Sequence, residues 1–283
     1  MKKLLITLIF VAQSALFAQI NAVVSILPEM TFVKAIGGEH VHTSLMVQPG
    51  DEPENYEPKP SQMKDVMKAH VYFAIGVEFE EVWLKKFMNQ NKNMIVVDVT
   101  KGITKIGMPT FMDTHKKMEE GHKDPHVWTS PKEIKIIALN IYNALADVDP
   151  AHQSYYKARY DAFLAKIDSV DQQLKEILKD VPHGTKFMVF HPAWGYFAKE
   201  YHLTQFPIQV EGKDPKPKML AHIIDTAKKE HIKAIFTQPE FSDHVANVIA
   251  KELNIRVIKA TPLAANWSQN LINFATSIAK DQR

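Results

Sequence analysis

The sequence predicts an α/β protein of two βα lobes with parallel-type sheets, joined by one long connecting α-helix. Three observations carry this. Short apolar runs of strand length alternate with longer helical patterns in both halves of the chain, the signature of a parallel sheet. Between the halves, Tyr156, Tyr160, Phe163, Ile167, Val170, Leu174 and Ile177 recur four and three residues apart with no glycine or proline between them. Two histidines, His126 and His191, each stand just ahead of a helix start, which fits one shared site between two lobes.

The chain opens with Lys2 and Lys3, the apolar run Leu4–Val11 and small residues ending at Ala18. This reads as a secretory signal peptide over residues 1–18, cleaved after Ala18. The sequence has no cysteine, so an acylated cysteine there is not expected, nor are disulfides or thiolate ligands; any metal site must use His, Asp and Glu. Removing Lys2 and Lys3 takes Lys+Arg from 34 to 32 against 32 Asp+Glu. A near-neutral chain of mixed charge argues against a nucleic-acid surface. No later apolar run reaches the ~18 residues of a membrane span.

A first lobe is expected over residues 19–148. Val23–Ile26 reads as a strand, Pro28 opens a short helix ended by Gly37-Gly38, and Val41–Val47 is a strand with one apolar face. Gln48–Pro60 carries four prolines and reads as a stiff loop, with Ser61 capping the next helix. Val71–Ile75 and Met94–Val99 are strands around a helix at Phe79–Asn89. Thr100–Lys123 is polar and holds His115, Glu119, Glu120 and His122, with Met108, Met112 and Met118. It reads as a surface loop, with a metal-collecting loop as the alternative. Ser130, Pro131 and Glu133 form a capping box opening another helix.

The connecting helix is expected within 149–181, about 28 residues or about 40 Å long, ended by Pro182-His183-Gly184. The second lobe, 182–283, repeats the pattern. Its strands are Phe187–Phe190, Phe206–Val210, Ala234–Thr237 and Val257–Lys259; its helices lie near Pro192–Tyr201, Pro217–Glu230, Ser242–Leu253 and Asn266–Lys280.

Several segments, in order, resemble the zinc- and manganese-binding solute-binding proteins of ABC importers. They are Ser25-Ile26-Leu27-Pro28, the loop PGDEPENYEP at 49–58, DPHVW at 124–128 with Ser130-Pro131, FHPAWGYF at 190–197, FTQPEFS at 236–242 and Thr261-Pro262-Leu263. The resemblance implies two βα lobes on a rigid helix, with a metal site in the cleft. It carries metal ligation onto His126 and His191. The family histidine of the 49–58 loop is Glu54 here, and the family aspartate of the last motif is Thr261.

A carboxylate binds zinc at about the same distance as an imidazole, so Glu54 serves as a third ligand and, as a harder donor, favours manganese or iron more than a third histidine would. Thr261 is a poor ligand, which leaves the fourth position to water or to Glu240 or Asp243. Trp128, Trp194 and Tyr196 are expected as pocket walls, and Tyr56 and Glu57 as braces of the loop. The expected function is capture of Zn²⁺, with Mn²⁺ or Fe²⁺ as alternatives, by a periplasmic or otherwise extracytoplasmic monomer that delivers it to an ABC permease. Two alternatives stand: a relative with a degraded site that binds a chelate, a small organic ligand or a surface partner, and a metal-dependent hydrolase. The chain has no HExxH, which argues against the hydrolase and for a protein that is not an enzyme.

Overall fold

A computed structural model describes residues 19–108, 123–209 and 213–281. The proposed signal peptide and the histidines and acids of the 109–122 loop lie outside the described residues. The first half holds β1 (Ile20–Val24), α1 (Leu27–Gly37), β2 (Val41–Leu45), α2 (Pro60–Lys68), β3 (Val71–Ala74), α3 (Glu78–Gln90), β4 (Ile95–Asp98) and α4 (Pro131–Val148). Next comes α5 (Gln153–Leu178). The second half holds β5 (Lys186–Val189), α6 (Gly195–Glu200), β6 (Thr204–Pro207), α7 (Pro217–Lys229), β7 (Ala234–Thr237), α8 (His244–Leu253), β8 (Arg256–Lys259) and α9 (Trp267–Asp281).

Among the described residues the strands form two four-stranded sheets, ordered β2-β1-β3-β4 and β6-β5-β7-β8, and every pairing between these strands is parallel. Parallel sheets are covered on both faces, so inner strands read as continuous apolar runs. Val71–Ala74 and Ala234–Thr237 obey this, with every residue buried. The expected α/β architecture is therefore present in both lobes.

The connecting helix α5 has 26 residues, about 39 Å at the standard rise. Its buried stripe is Tyr156, Phe163, Ile167, Val170, Leu174 and Leu178. It packs on α1 and α4 of the first lobe and on α9 at the far end of the chain. Phe163 lies between Phe32 of α1 and Trp267 of α9, with ring centroids 5.7 and 6.0 Å away. One apolar core thus runs across both lobes.

The differences from expectation lie at element ends. The first strand runs Ile20–Val24 rather than Val23–Ile26, because Ile26 is the extended residue that precedes α1. The entry to α2 is closed by Gln62, whose Oε1 accepts the Lys59 N–H at 2.9 Å, and not by Ser61. Ser130 makes no cap: its hydroxyl donates to Glu200 Oε2 at 2.7 Å, a bond from the start of α4 to the end of α6. Helix α5 begins after a short turn at Pro150–His152, where Asp149 Oδ2 meets His152 Nδ1 at 2.6 Å and accepts the Tyr156 hydroxyl at 2.7 Å. Helix α6 starts at Gly195 rather than Pro192, because His191–Ala193 forms a turn closed by the Ala193 N–H to the His191 carbonyl at 2.9 Å. The strand expected at Phe206–Val210 is Thr204–Pro207, in register with Lys186–Val189.

Candidate metal centre

The segments that follow β2, β3, β4, β5, β7 and β8 meet in a cleft, the place where open parallel sheets leave room for ligands. His191 follows β5 directly and is buried. Its Nδ1 lies 2.9 Å from Gln209 Oε1. Gln238 brackets its backbone, donating to the His191 carbonyl at 3.0 Å and accepting its N–H at 3.4 Å. Phe241 stacks on the ring at 5.0 Å.

His126 enters from the other side through a tight Asx turn. Asp124 is fully buried, and its Oδ1 accepts both the His126 N–H at 2.9 Å and the ring Nδ1–H at 2.8 Å. The turn is stitched in place by Asp124 N–H to Ile106 O at 2.9 Å and by the Tyr196 hydroxyl to Asp124 O at 2.9 Å. Gly195 permits this, because a Cβ there would stand 2.5 Å from Asp124 Oδ2.

These partners fix the chemistry of the rings. Each Nδ1 faces an oxygen acceptor and so carries hydrogen, which leaves each Nε2 as the free donor atom. The two Nε2 atoms face each other at 3.3 Å. Two atoms each bonded to a tetrahedral zinc at 2.0–2.1 Å are about 3.3 Å apart. Glu54 Oε1 lies 3.5 Å from His191 Nε2. Among the described residues no three His, Cys, Asp or Glu side chains are already drawn into one closed ligand set. The pair of imidazoles is built, and Glu54 stands beside it.

The electrostatics invite a cation. The space at the imidazoles, about 30 Å³, is lined by Glu52, Glu54, Glu78 and Glu240 and, among the described residues, by no lysine or arginine. Burial, then repulsion from Glu78 and Glu52, raises Glu54 to about 7, against a smaller pull from His126. Burial opposes charge on His126, but Asp124, Glu78 and Glu54 together outweigh it and raise its pKa. Burial and the neighbouring His126 lower His191 to about 3. Metal binding at either Nε2 requires that atom to be free of a proton, so binding competes with protonation.

Other expected site residues are placed differently. Trp128 lines the space, and its Nε1–H donates to Pro262 O at 2.9 Å. Trp194 does not form a wall: it is fully buried and stacks on Phe274 of α9 at 3.9 Å. Tyr196 braces the Asp124 turn and does not line the space. Asp243 is held by Lys259, with Nζ 2.6 Å from each carboxylate oxygen, so it is not a ligand candidate. The Thr261 hydroxyl donates to Glu240 Oε1 at 3.2 Å and accepts the Leu263 N–H at 3.0 Å. Tyr56 does brace its loop, through its hydroxyl to Gln62 Oε1 at 2.7 Å. Sequence reasoning missed the roles of Asp124, Gln209, Gln238 and Glu78. Of these, only Asp124, two residues before a histidine, carries a local signal, that of an Asx turn.

A buried polar group lies under the first-lobe side of the cleft. Glu80 accepts the N–H groups of Ile75 at 3.0 Å and Gly76 at 2.8 Å and the Ser25 hydroxyl, which also meets the Tyr72 hydroxyl at 2.7 Å. Glu29 accepts the Ser25 N–H at 2.8 Å. Burial raises both carboxyl groups, Glu80 to about 7.

A family model described as zinc-uptake complex component A, periplasmic, matches residues 22–280. The iron-binding protein YfeA of Yersinia pestis is 29% identical over 221 residues, covering 77% of this chain and 68% of that protein. The zinc-binding protein AdcA of Streptococcus pyogenes serotype M3 is 27% identical over 262 residues, 87% of this chain but 50% of that relative, so the chain spans about half its length. A crystal structure of ZnuA superposes with a TM-score of 0.86 at 39% identity, covering 93% of this chain and 98% of that one.

Proposed function

The chain belongs to the zinc-uptake complex component A family, and from that premise we propose that it captures a divalent transition metal outside the cytoplasm and hands it to an ABC permease. Zinc is the first choice, in keeping with the relatives named for zinc; iron is the cargo named for the Yersinia relative, and manganese shares the donor set. His126 Nε2, His191 Nε2 and a Glu54 oxygen are the ligands in this reading. The observation that carries it is the pair of buried Nε2 atoms 3.3 Å apart, each ring held in orientation from behind by an acceptor on Nδ1.

Binding requires donors that close around an ion, not a reactive group. The acids at the space, Glu52, Glu54, Glu78 and Glu240, are read as charge that attracts a cation and not as a general base. The protein is accordingly read as a carrier and not an enzyme, acting as a monomer after removal of residues 1–18. No helix among the described residues is long and apolar enough to cross a membrane.

The test is metal titration of the purified chain 19–283, beside Glu54→Ala and His191→Ala. One zinc per chain is expected. His191→Ala should abolish tight binding, and Glu54→Ala should weaken it by about 10–100-fold. Absence of zinc binding at micromolar concentration refutes the reading. Equal binding by Glu54→Ala removes Glu54 from the ligand set.

A further inference from the structure

The end of β3 brings one more acid to the imidazoles. Glu78, the first residue of α3, is half-buried and lines their space together with Val77. We propose that the Glu78 carboxylate is the fourth ligand of the ion that His126, His191 and Glu54 hold, supplying the carboxylate that Thr261 does not. The donor set is then two imidazoles and two carboxylates. This rests on the metal-carrier reading above and assigns the residue that completes its site.

Four observations support it. The turn that carries Glu78 is fixed, because Glu80 reaches back to accept the N–H groups of Ile75 at 3.0 Å and Gly76 at 2.8 Å. Gly76 has a φ of 85°, which favours glycine. The start of α3 is also tied to the Glu54 loop, where Phe79 packs edge-on against Tyr56 with ring centroids 5.7 Å apart. The two carboxylates thus come from braced, adjoining segments of the first lobe. The charge of Glu78 is felt at the donors themselves. After burial, its repulsion is the largest influence raising Glu54; on His126, where burial opposes charge, its pull ranks behind Asp124 and ahead of Glu54. Finally, among the described residues no hydrogen bond or ion pair engages the Glu78 carboxylate. The other acids are engaged: Glu240 accepts the Thr261 hydroxyl, Glu52 is hydrogen-bonded to Glu54, and Asp243 is held by Lys259.

Two carboxylate ligands match the double charge of the ion, and an uncompensated charge in a buried space is costly. An oxygen donor at this position also favours manganese and iron more than a nitrogen donor would. Glu78 stands at a fixed helix start, so it joins the two imidazoles as a standing donor, and Glu54 stays the one that moves.

The experiment compares the chain 19–283 with its Glu78→Gln and Glu240→Gln variants. Zinc and manganese affinities are measured by competition with a chelator, and Co²⁺ serves as a spectroscopic probe of the ligands. Glu78→Gln should weaken zinc binding by about tenfold or more, and manganese binding by a larger factor because an oxygen donor is lost. It should also change the energies and intensities of the Co²⁺ d–d bands, which report groups bonded to the metal and not charges nearby. Glu240→Gln should leave those bands as they are. Thermal unfolding without metal checks that each variant is folded, and Glu78→Ala, a good helix former, stands in if the glutamine variant is not. Unchanged affinity and unchanged bands in Glu78→Gln overturn the proposal. Weaker binding with unchanged bands also overturns it, since Glu78 then acts through charge alone. Altered bands in Glu240→Gln and not in Glu78→Gln overturn it in favour of Glu240. Each of these outcomes leaves the carrier reading standing, whereas failure of the unsubstituted chain to take up zinc overturns that reading itself.

Discussion

Gly195→Ala tests whether the metal centre depends on how tightly Asp124 is clamped. Gly195 opens α6 with no positive φ, so alanine is conformationally acceptable there, and helix propensity alone predicts a gain of up to about 1 kcal/mol. The surroundings decide otherwise. A Cβ at this position would meet Asp124 Oδ2 at 2.5 Å and Ile106 Cδ1 at 3.1 Å. Restoring a contact of 3.0–3.4 Å moves the carboxylate by 0.5–0.9 Å. Its other oxygen is bound to His126 Nδ1 at 2.8 Å, and a shift of that size stretches the bond past the ~3.2 Å limit of a good N–H···O contact. Hydrogen bonds to charged groups contribute about 1.5–3 kcal/mol each. Losing one, and straining the second at the His126 N–H, outweighs the propensity gain and leaves a net loss of about 1–3 kcal/mol. A histidine ligand without its carboxylate partner loses roughly 10–100-fold in metal affinity. Thermal unfolding should therefore fall by roughly 2–4 °C for each kcal/mol lost. Zinc affinity in a buffered titration should fall in the same variant, and Asp124→Asn should reproduce the affinity loss. A Gly195→Ala protein that melts no lower than the parent and binds zinc equally would refute the clamp.

Three further outcomes follow from the geometry. Zinc affinity should drop by about tenfold or more as pH falls from 7.5 to 6, because the ion must displace protons from Glu54, raised to about 7, and from His126, also raised; a flat profile contradicts this. In the metal-free protein the burial of Glu80 predicts stability that declines as pH rises. Below about 4.5 the group is protonated folded and unfolded; between 4.5 and about 7 the unfolded chain gives up its proton first; above that the loss levels off at roughly 3 kcal/mol. Urea unfolding from pH 5 to 8 should show that slope diminished in Glu80→Gln. Ser130→Ala and Glu200→Gln should each cost about 1 kcal/mol and couple by a similar amount in a double-mutant cycle, whereas a Ser130 acting as a local cap would give additive losses.

What the sequence revealed of this molecule is what depends on local pattern. The stripe from Tyr156 to Leu174 announces a buried face of α5 because helix period is written in consecutive residues. His126 and His191 are conspicuous because each sits where a loop meets a helix. What stayed hidden depends on which distant segments meet. Gln209 and Gln238 support His191 from the strand ends on either side of β5, and nothing in their neighbouring residues marks them. Asp243 stands beside the FTQPEFS segment and reads as a spare acid until β8 brings Lys259 within 2.6 Å. Trp194 reads as a pocket wall until α9 brings Phe274 against it. Ser130 has the spacing of a cap, but a charged acceptor on α6 takes its hydroxyl.

The three proposed donors are not held alike, and this bears on how an ion would leave. Separating the lobes would pull α5 from α1 and α4 on one side or from α9 on the other. At about 1.5–3 kcal/mol for each large apolar side chain exposed, losing even half of its buried stripe costs several kcal/mol. Moving His126 or His191 breaks the bonds that orient each ring. Glu54 belongs to a proline-rich stretch without helix or strand, and its carboxyl is close enough to Glu52 and Glu78 for their charges to raise its pKa. That repulsion favours an outward or protonated Glu54 when no cation is present, and a divalent ion reverses it. If these three are the ligands, as proposed, capture would amount to Glu54 closing on an ion already held by the two imidazoles, and release would need only that carboxylate to withdraw or take up a proton, with the lobes staying where α5 holds them.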